Sequence, residues 1–202
     1  SDGTSGTWEG DFADGGATAP PVEGGRVHRF GAQTYNTINA IGSANNLYWS
    51  DPLGASTNDY DLFRLDSTGA TVLAASVNLQ NGTQDPYEQI SAGSAGNRLV
   101  IVKYSGAGRF LHLSTLRGRL SVPTSGETHG HAATSAANSF GVAASAARSP
   151  GPDPNPFTSA NVVETFSSDG PRRIFFQSSG TPITAGNVSS TGGQLLNKPD
   201  FT

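Results

Sequence analysis

Hydrophobic and polar residues alternate over many short stretches of this 202-residue chain. The central example runs from Asn46 to Asp66, where two apolar runs, Leu47–Trp49 and Tyr60–Leu65, flank a connector rich in Pro, Gly, Ser and Asn. Alternate residues of the second run face opposite sides. A period of two, with aromatic residues between turn formers, is typical of β-strands. We therefore predict that the two runs form paired strands.

Further short runs of the same kind follow along the chain. The turn Asp66–Gly69 leads into a strand over Thr71–Ser76, and Arg98–Tyr104 is the run richest in β-branched residues, which favours a central strand. We expect Arg109–Thr115 to be its hairpin partner. Roughly eight strands at this spacing predict an antiparallel β-sandwich or jelly roll over residues 15–123.

The chain before and after this region has a different character. Residues 1–14 are acidic and turn-forming, with Trp8 and Phe12 spaced as in a short edge strand, and we interpret them as the start of the sandwich or a remnant of a larger core. Residues 124–202 carry apolar runs at 140–143, 162–168 and 172–177, separated by a Pro-rich stretch at 149–156 that excludes regular structure. The tail from residue 178 is predicted as loop.

Composition narrows the class of protein. Charged residues make up 14% of the chain, the net charge is −4 and no Lys/Arg run is present, so we predict no nucleic-acid partner. No apolar segment approaches the roughly 20 residues of a membrane-spanning helix. Cysteine is absent, which excludes disulfides and thiol chemistry. Methionine is absent too, and we interpret the chain as a processed product or an excised piece, with the surface composition of an exported bacterial protein.

Three segments in the last third carry a family resemblance: Ala137–Ala144, Glu164–Pro171 with Phe-Ser-Ser-x-Gly-Pro intact, and Lys198–Asp200. In this order they resemble the catalytic domain of subtilisin-like serine peptidases, over roughly residues 128–202. The opening Ser1–Gly3 is similar to the residues that come after the oxyanion-hole Asn in that family. The resemblance implies a partial α/β segment lying between that Asn and the catalytic Ser, with the β-sandwich inserted into the protease fold.

No catalytic residue of the family maps onto this sequence, so the resemblance implies a chain that is inactive alone. His129-Gly130-His131 superficially resembles the family's histidine motif but stands in the wrong order for the catalytic base. It is interpreted as a structural turn or as a substrate-pocket wall formed by Gly130 and His131, and a catalytic or metal-binding role is the third alternative. The resemblance implies secretion or display at the cell surface, and a protein or peptide as the substrate of the parent enzyme.

Acidic residues of the sandwich suggest a cation site. Asp59 and Asp61 are two residues apart and share one face of a strand, and Asp85 and Glu88 are the other candidate ligands. Calcium takes six to eight oxygen ligands in relaxed geometry. The alternative is that these side chains cap turns. A second acidic group, at Asp2, Asp11 and Asp14, is open to the same two interpretations.

Two other functions stay open. The aromatic residues could form a stacking platform of a stand-alone sandwich that binds carbohydrate or protein, although such residues belong more often to a core; they are Trp8, Tyr48, Trp49, Tyr60, Tyr87 and Tyr104. The second open function is a purely structural role in a surface layer.

Strands cut from a larger sheet expose apolar edges, so we also expect that residues 124–202 can mediate a swapped dimer.

Overall fold

The computed structural model describes residues 6–124, 140–146, 158–164, 167 and 170–201. These ranges contain thirteen strands and no helix, which confirms a mainly β fold; no α/β arrangement is seen in them. The strands are β1 Thr7–Asp11, β2 Asp14–Ala17, β3 Arg26–His28, β4 Asn36–Ala40, β5 Ala44–Trp49, β6 Asp59–Leu65, β7 Val72–Ser76, β8 Tyr87–Ser91, β9 Arg98–Ser105, β10 Phe110–Ser114, β11 Arg119–Leu120, β12 Arg172–Ile174 and β13 Gln194–Leu196.

The first sheet has four antiparallel strands in the order β1-β10-β5-β8. The predicted edge strand around Trp8 is β1, which pairs with β10 over its whole length, from Thr7 opposite Ser114 to Asp11 opposite Phe110. The sandwich therefore includes residues before position 15.

The second sheet is built around β9, which confirms the prediction of a central strand. One side of β9 pairs with β6 over seven residue pairs. Its other side is shared by β3 and β4, which continue into β2 and β11. β7 pairs with β6 at the far side, as the turn at Asp66–Gly69 predicts.

A hydrophobic core fills the space between the two sheets. Alternate residues of β5, β10 and β1 point inward from the first sheet, and alternate residues of β6 and β9 point inward from the second. The fully or almost fully buried members are Phe30, Ile38, Leu47, Tyr60, Leu62, Leu99, Ile101, Leu111, Leu113 and Leu120. This apolar surface removed from water is the main stabilising contribution to the fold.

The outer face of β6 is buried as well. Phe63 and Leu65 pack with Val100 and Val102 of β9, and Val22 from the loop before β3 covers them. The two faces of β6 therefore enter two different hydrophobic clusters, which explains why large apolar or aromatic side chains occur on both faces of this strand.

Two predicted pairings are wrong, although all the strands concerned exist. β5 and β6 lie in different sheets, and so do β9 and β10. The loop between β9 and β10 crosses from one sheet to the other because it is bonded to β6: the Tyr60 hydroxyl donates to the Ala107 carbonyl at 3.0 Å and accepts from the Arg109 amide at 2.9 Å. A hairpin between β9 and β10 would break both bonds.

The described parts of the last third contain less regular structure than predicted. The run at 172–177 forms only the three residues of β12, and its partner β13 lies in the tail that was predicted as loop. Around Val142 and Val163 the described backbone forms isolated bridges instead of strands. Within the described ranges, no helix has the length and apolar character needed to cross a membrane.

Candidate functional sites

Three of the four predicted calcium ligands lie near one another. Asp59 and Asp61 on β6 and Glu88 on β8 are all buried. Gln80 links two of them. Its backbone N–H donates to Asp59 Oδ1 at 3.4 Å, and its side-chain Nε2 donates to Glu88 Oε1 at 2.7 Å. Glu88 also accepts bonds from Ser76 and Asn78.

Burial governs the charge of this group. Desolvation raises the pKa of Asp59 and of Glu88 above their ordinary values. Desolvation, followed by repulsion from Asp59 and Glu88, raises the pKa of Asp61 to about 7. Of these three carboxyl groups, Asp61 is therefore the one expected to be partly protonated near neutral pH. Among the described residues no group of three or more Asp, Glu or His side chains is arranged to hold a metal ion, so calcium binding here stays a prediction.

The other predicted acidic ligands are placed apart. Asp85 is exposed and accepts a bond from the Gly54 amide at 2.7 Å, which is the turn-capping role. Asp11 accepts from the Ser190 amide at 2.8 Å, and Asp14 pairs with Arg26 at 2.9 Å. Gly130 and His131, the predicted pocket wall, and Asp2 lie outside the described residues.

Half of the predicted stacking platform belongs to the core. Trp8, Trp49 and Tyr60 are buried between the sheets, which corrects the platform interpretation for these three residues. Tyr104 is largely exposed at the end of β9. Tyr48 and Tyr87 are half-buried on the outer face of the first sheet, with ring centroids 4.7 Å apart.

The strand register places these two tyrosines in a row with two charged or titratable residues. Glu9 is opposite His112, His112 is opposite Tyr48, and Tyr48 is opposite Tyr87. The row crosses all four strands of the first sheet on its outer face. Glu9 and His112 are 103 positions apart in the chain, and only the pairing order brings them together.

The segment that contains β12 lies over one end of this row. Phe175 packs on Phe110 with ring centroids 5.2 Å apart, and the Val188 carbonyl accepts a bond from Ser50 Oγ at 2.7 Å. Between this segment and the sheet lies a cleft of about 60 Å³. The residues that line it are Glu9, Tyr48, Trp49, Ser50, Phe110, His112, Arg172, Arg173 and Phe175.

The charged groups in the cleft are close together. Glu9 Oε1 lies 2.6 Å from His112 Nδ1, and Arg172 Nη1 lies 3.7 Å from the same carboxylate oxygen. Burial, together with the neighbouring Tyr87, raises the pKa of Tyr48 to about 12, so this phenol is neutral at physiological pH. The pairing of Glu9 with His112 fixes the orientation of the imidazole ring.

The side chains of Ser50 and His28 are engaged in structural contacts. Ser50 Oγ donates to Val188 and accepts from the Phe110 amide at 3.1 Å. His28 is enclosed by Trp8 and Phe30, and burial lowers its pKa to about 4.

The last third forms a separate set of contacts among its motif residues. The Gly141 amide donates to Asp200 Oδ2 at 2.7 Å, and Val142 forms a parallel bridge with Phe201. The Ala144 amide donates to Ser167 Oγ at 2.9 Å. Gly170 lies so close to the backbone of Lys198 that an added Cβ would collide with its carbonyl oxygen.

Comparison with known proteins does not identify a relative: no family model matches the chain, and no curated protein matches it.

The row from Glu9 to Tyr87 was not found from the sequence. No spacing rule relates residues on strands whose pairing order is unknown, and the expected hairpin of β9 with β10 placed His112 in the wrong sheet.

Proposed function

We propose that this chain is a non-catalytic segment of a secreted subtilisin-like serine endopeptidase, in which the β-sandwich is an accessory insert. One observation carries the proposal. The three segments that resemble the family are separated by 20 to 60 residues in the sequence and lie against one another in the fold. The contacts are Gly141 with Asp200, Ala144 with Ser167 and Gly170 with Lys198.

The direction of the pairing adds support. The strands of the sandwich are all antiparallel, whereas the bridge between Val142 and Phe201 is parallel. Parallel pairing needs a long crossover connection and is characteristic of α/β folds. The other pairings described after residue 139, including β12 with β13, are antiparallel, so the parallel bridge of Val142 with Phe201 is the one that is expected for a piece of a protease core.

The described residues have supporting roles in this proposal. Asp200 holds the backbone of Gly141, and Lys198 Nζ holds Asp200 at 2.7 Å. The parent enzyme would cleave peptide bonds by attack of a serine, with a histidine as base and an aspartate that orients it. We place all three outside this chain.

The sandwich would stand at a fixed position beside the protease core. Three contacts join its first sheet to the segment around β12: Phe110 with Phe175, Ser50 with Val188 and Asp11 with Ser190. Each of these contacts joins two residues that are far apart in the sequence, so together they restrict the motion of the insert. We propose that it controls access of the protein substrate to the parent's active site or binds that substrate.

The sequence that comes after Thr202 in the gene tests the proposal. A G-T-S-x-A-x-P segment within a few tens of residues is the expected result, because this motif carries the serine nucleophile. Its absence would overturn the proposal. A fluorophosphonate probe should then label that serine in the parent polypeptide, and no serine of residues 1–202.

A second candidate function is a stand-alone module that binds carbohydrate or protein. The stacked and half-buried rings of Tyr48 and Tyr87 favour this function. Asn46 and Gln89 beside them offer polar groups to a ligand. The Tyr87 hydroxyl donates to Asn46 Oδ1 at 3.2 Å, and Gln89 Nε2 donates to the same atom at 2.8 Å. Binding of a polysaccharide that is lost in Tyr87→Ala, and kept in Tyr104→Ala, would support this function.

We also propose that the last third can pair with a second copy of the chain. Several of its large apolar side chains are half or more exposed; they are Phe140, Val142, Val162, Val163, Leu195 and Phe201. Exposed apolar strand edges favour pairing between chains. Light scattering should show a dimer that becomes monomeric in Val142→Lys, and a monomer at all concentrations would contradict this proposal.

A further inference from the structure

The guanidinium group of Arg172 has more donors than partners. Its Nη1 approaches His112 Nδ1 at 3.3 Å and Glu9 Oε1 at 3.7 Å. His112 Nδ1 lies 2.6 Å from Glu9 Oε1 and donates its proton to that carboxylate oxygen. The same ring nitrogen therefore does not also accept a bond from Arg172. Arg172 and Glu9 thus form a loose ion pair, since their 3.7 Å separation is longer than a hydrogen bond.

The Nε side of the same group is unsatisfied. Arg172 Nε is buried and has no hydrogen-bond acceptor in the described structure. A buried donor without an acceptor is destabilising, and more so when it is charged. The large majority of buried polar side-chain atoms in native proteins have a hydrogen-bond partner, which makes this donor a candidate for contact with a ligand.

The surroundings favour an anion with an apolar substituent. Among the described lining residues the cleft has two arginines and one carboxylate, Glu9. Phe110 and Phe175 form an aromatic wall beside Arg172. Arginine recognises carboxylates through a pair of parallel N–H donors, and aromatic rings accept the apolar part of the same molecule.

The volume restricts what can enter. About 60 Å³ is far below the roughly 300–1,000 Å³ of pockets that enclose a drug-sized molecule. The cleft therefore admits one functional group and leaves the remainder of a ligand at the surface. We infer that the cleft between the first sheet and β12 is a binding site for a carboxylate attached to an apolar group, with Arg172 as the residue that binds it.

This chemistry has two sources, a free carboxylic acid and the carboxyl terminus of a peptide. The inference does not depend on the proposed function, because it rests only on contacts between β12 and the sandwich. Phenylacetate represents the free acid, and N-acetylphenylalanine represents the peptide terminus. Phenylacetamide and N-acetylphenylalaninamide are their uncharged counterparts.

Nitrogen-15 NMR of the Arg172 Nε–H group tests the site directly. We expect both acids, titrated in the millimolar range, to shift this resonance in a saturable manner, and both amides to leave it in place. The acid with the lower dissociation constant identifies the source of the natural ligand. No saturable shift, or equal shifts with acids and amides, would overturn the inference.

Three variants separate recognition from folding. Arg172→Gln should weaken phenylacetate binding at least about tenfold, since a charge-assisted bond is lost. Arg172→Lys keeps the charge without the fork of donors and should also weaken it. Arg26→Gln removes an exposed arginine of β3 and should bind like the unmodified chain. Equal affinity of all three variants for phenylacetate would contradict the assignment of Arg172 as the binding residue. Unchanged amide spectra of the remaining residues verify that each variant is folded.

Discussion

The Asp200 carboxylate accepts a hydrogen bond from the backbone amide of Gly141, 59 residues earlier in the chain, at 2.7 Å. The same oxygen accepts from Lys198 Nζ, also at 2.7 Å. One carboxylate thus connects two distant segments of the last third and lies beside the parallel bridge of Val142 with Phe201.

Replacing Asp200 should release this connection. In Asp200→Ala the Gly141 amide loses its acceptor, so we expect faster hydrogen exchange at Gly141 and at Ala143, whose amide bonds to the Phe201 carbonyl at 2.8 Å. Asp200→Asn keeps an acceptor oxygen and should show a smaller effect. Asp14→Ala, an exposed acidic residue of the sandwich, is the control. Unchanged exchange at Gly141 in Asp200→Ala would show that the contact does not hold the segment.

Two leucines allow a matched test of the core. Leu62 is fully buried between the sheets, whereas Leu53 is 82% exposed in the connector between β5 and β6. Leu62→Ala should lower the free energy of unfolding by about 2–5 kcal/mol, because it removes buried apolar surface and leaves a cavity. Leu53→Ala should change it by less than about 0.5 kcal/mol. Denaturant unfolding of both variants measures the difference, and similar values would contradict the two-sheet core.

The strands were predictable from the sequence because their alternation is a local property. β6, β7 and β9 were expected from the period of two, and the apolar positions of β6 and β9 are buried. The pairing partners were not predictable. Whether Phe110–Ser114 folds back on β9 or crosses to the other sheet depends on the bonds of Tyr60 and Asn58 to the intervening loop, and no local pattern encodes them.

The same limit applies to the candidate sites. Asp59 and Asp61 were noticed because they are two residues apart, and Glu88 was added as an acidic neighbour; the structure brings all three close. Arg172 was not noticed, since its relation to Glu9 spans more than 160 residues and results from the docking of β12 on the first sheet.

The buried carboxyl of Asp61 should make the stability dependent on pH. Its pKa is about 7 in the fold and 3.8 in the absence of the fold, so the folded state binds the proton more tightly. The contribution of Asp61 to the free energy of unfolding should therefore be largest below about pH 4, fall as the pH rises towards 7, and stay level above that. Raised pKa values of Asp59 and Glu88 act in the same direction.

Asp61→Asn tests this assignment. The variant lacks the titrating carboxyl, so at about pH 8 we expect it to be more stable than the unmodified chain by an amount of order 2 kcal/mol. Asp85→Asn, at an exposed site, should keep the original pH profile. A stability that rises between pH 4 and 7 would contradict the account, and recovery of stability by calcium at pH 8 would instead support a cation site.

Asp51 organises the connector between β5 and β6. This buried carboxylate accepts bonds from Ser56 Oγ at 2.9 Å, from Asn58 Nδ2 at 2.8 Å and from Arg109 Nε at 2.6 Å. Burial opposes the charge of Asp51, but the bonds from Arg109, Asn58 and Ser56 together outweigh it and hold the pKa below its ordinary value.

Removal of this carboxylate should destabilise the sandwich. Asp51→Ala leaves several buried donors without an acceptor, so we expect a loss of about 2–4 kcal/mol at neutral pH. The stabilising contribution of Asp51 is present above its ordinary pKa of 3.8 and is lost as the pH falls through the lower pKa of the folded state. Asp66→Ala, which affects an exposed turn, should cost less. Equal losses for the two variants would show that the network around Asp51 has no special role.

Labelling with a serine-directed fluorophosphonate probe tests the central claim most directly. The probe should be applied to this chain and to the parent polypeptide, with mass spectrometry of the labelled peptides. We predict no label within residues 1–202 and a labelled serine in the parent downstream of Thr202. A labelled serine inside residues 1–202, or a parent that does not react, would contradict the proposal that this chain is the non-catalytic part of a subtilisin-like endopeptidase.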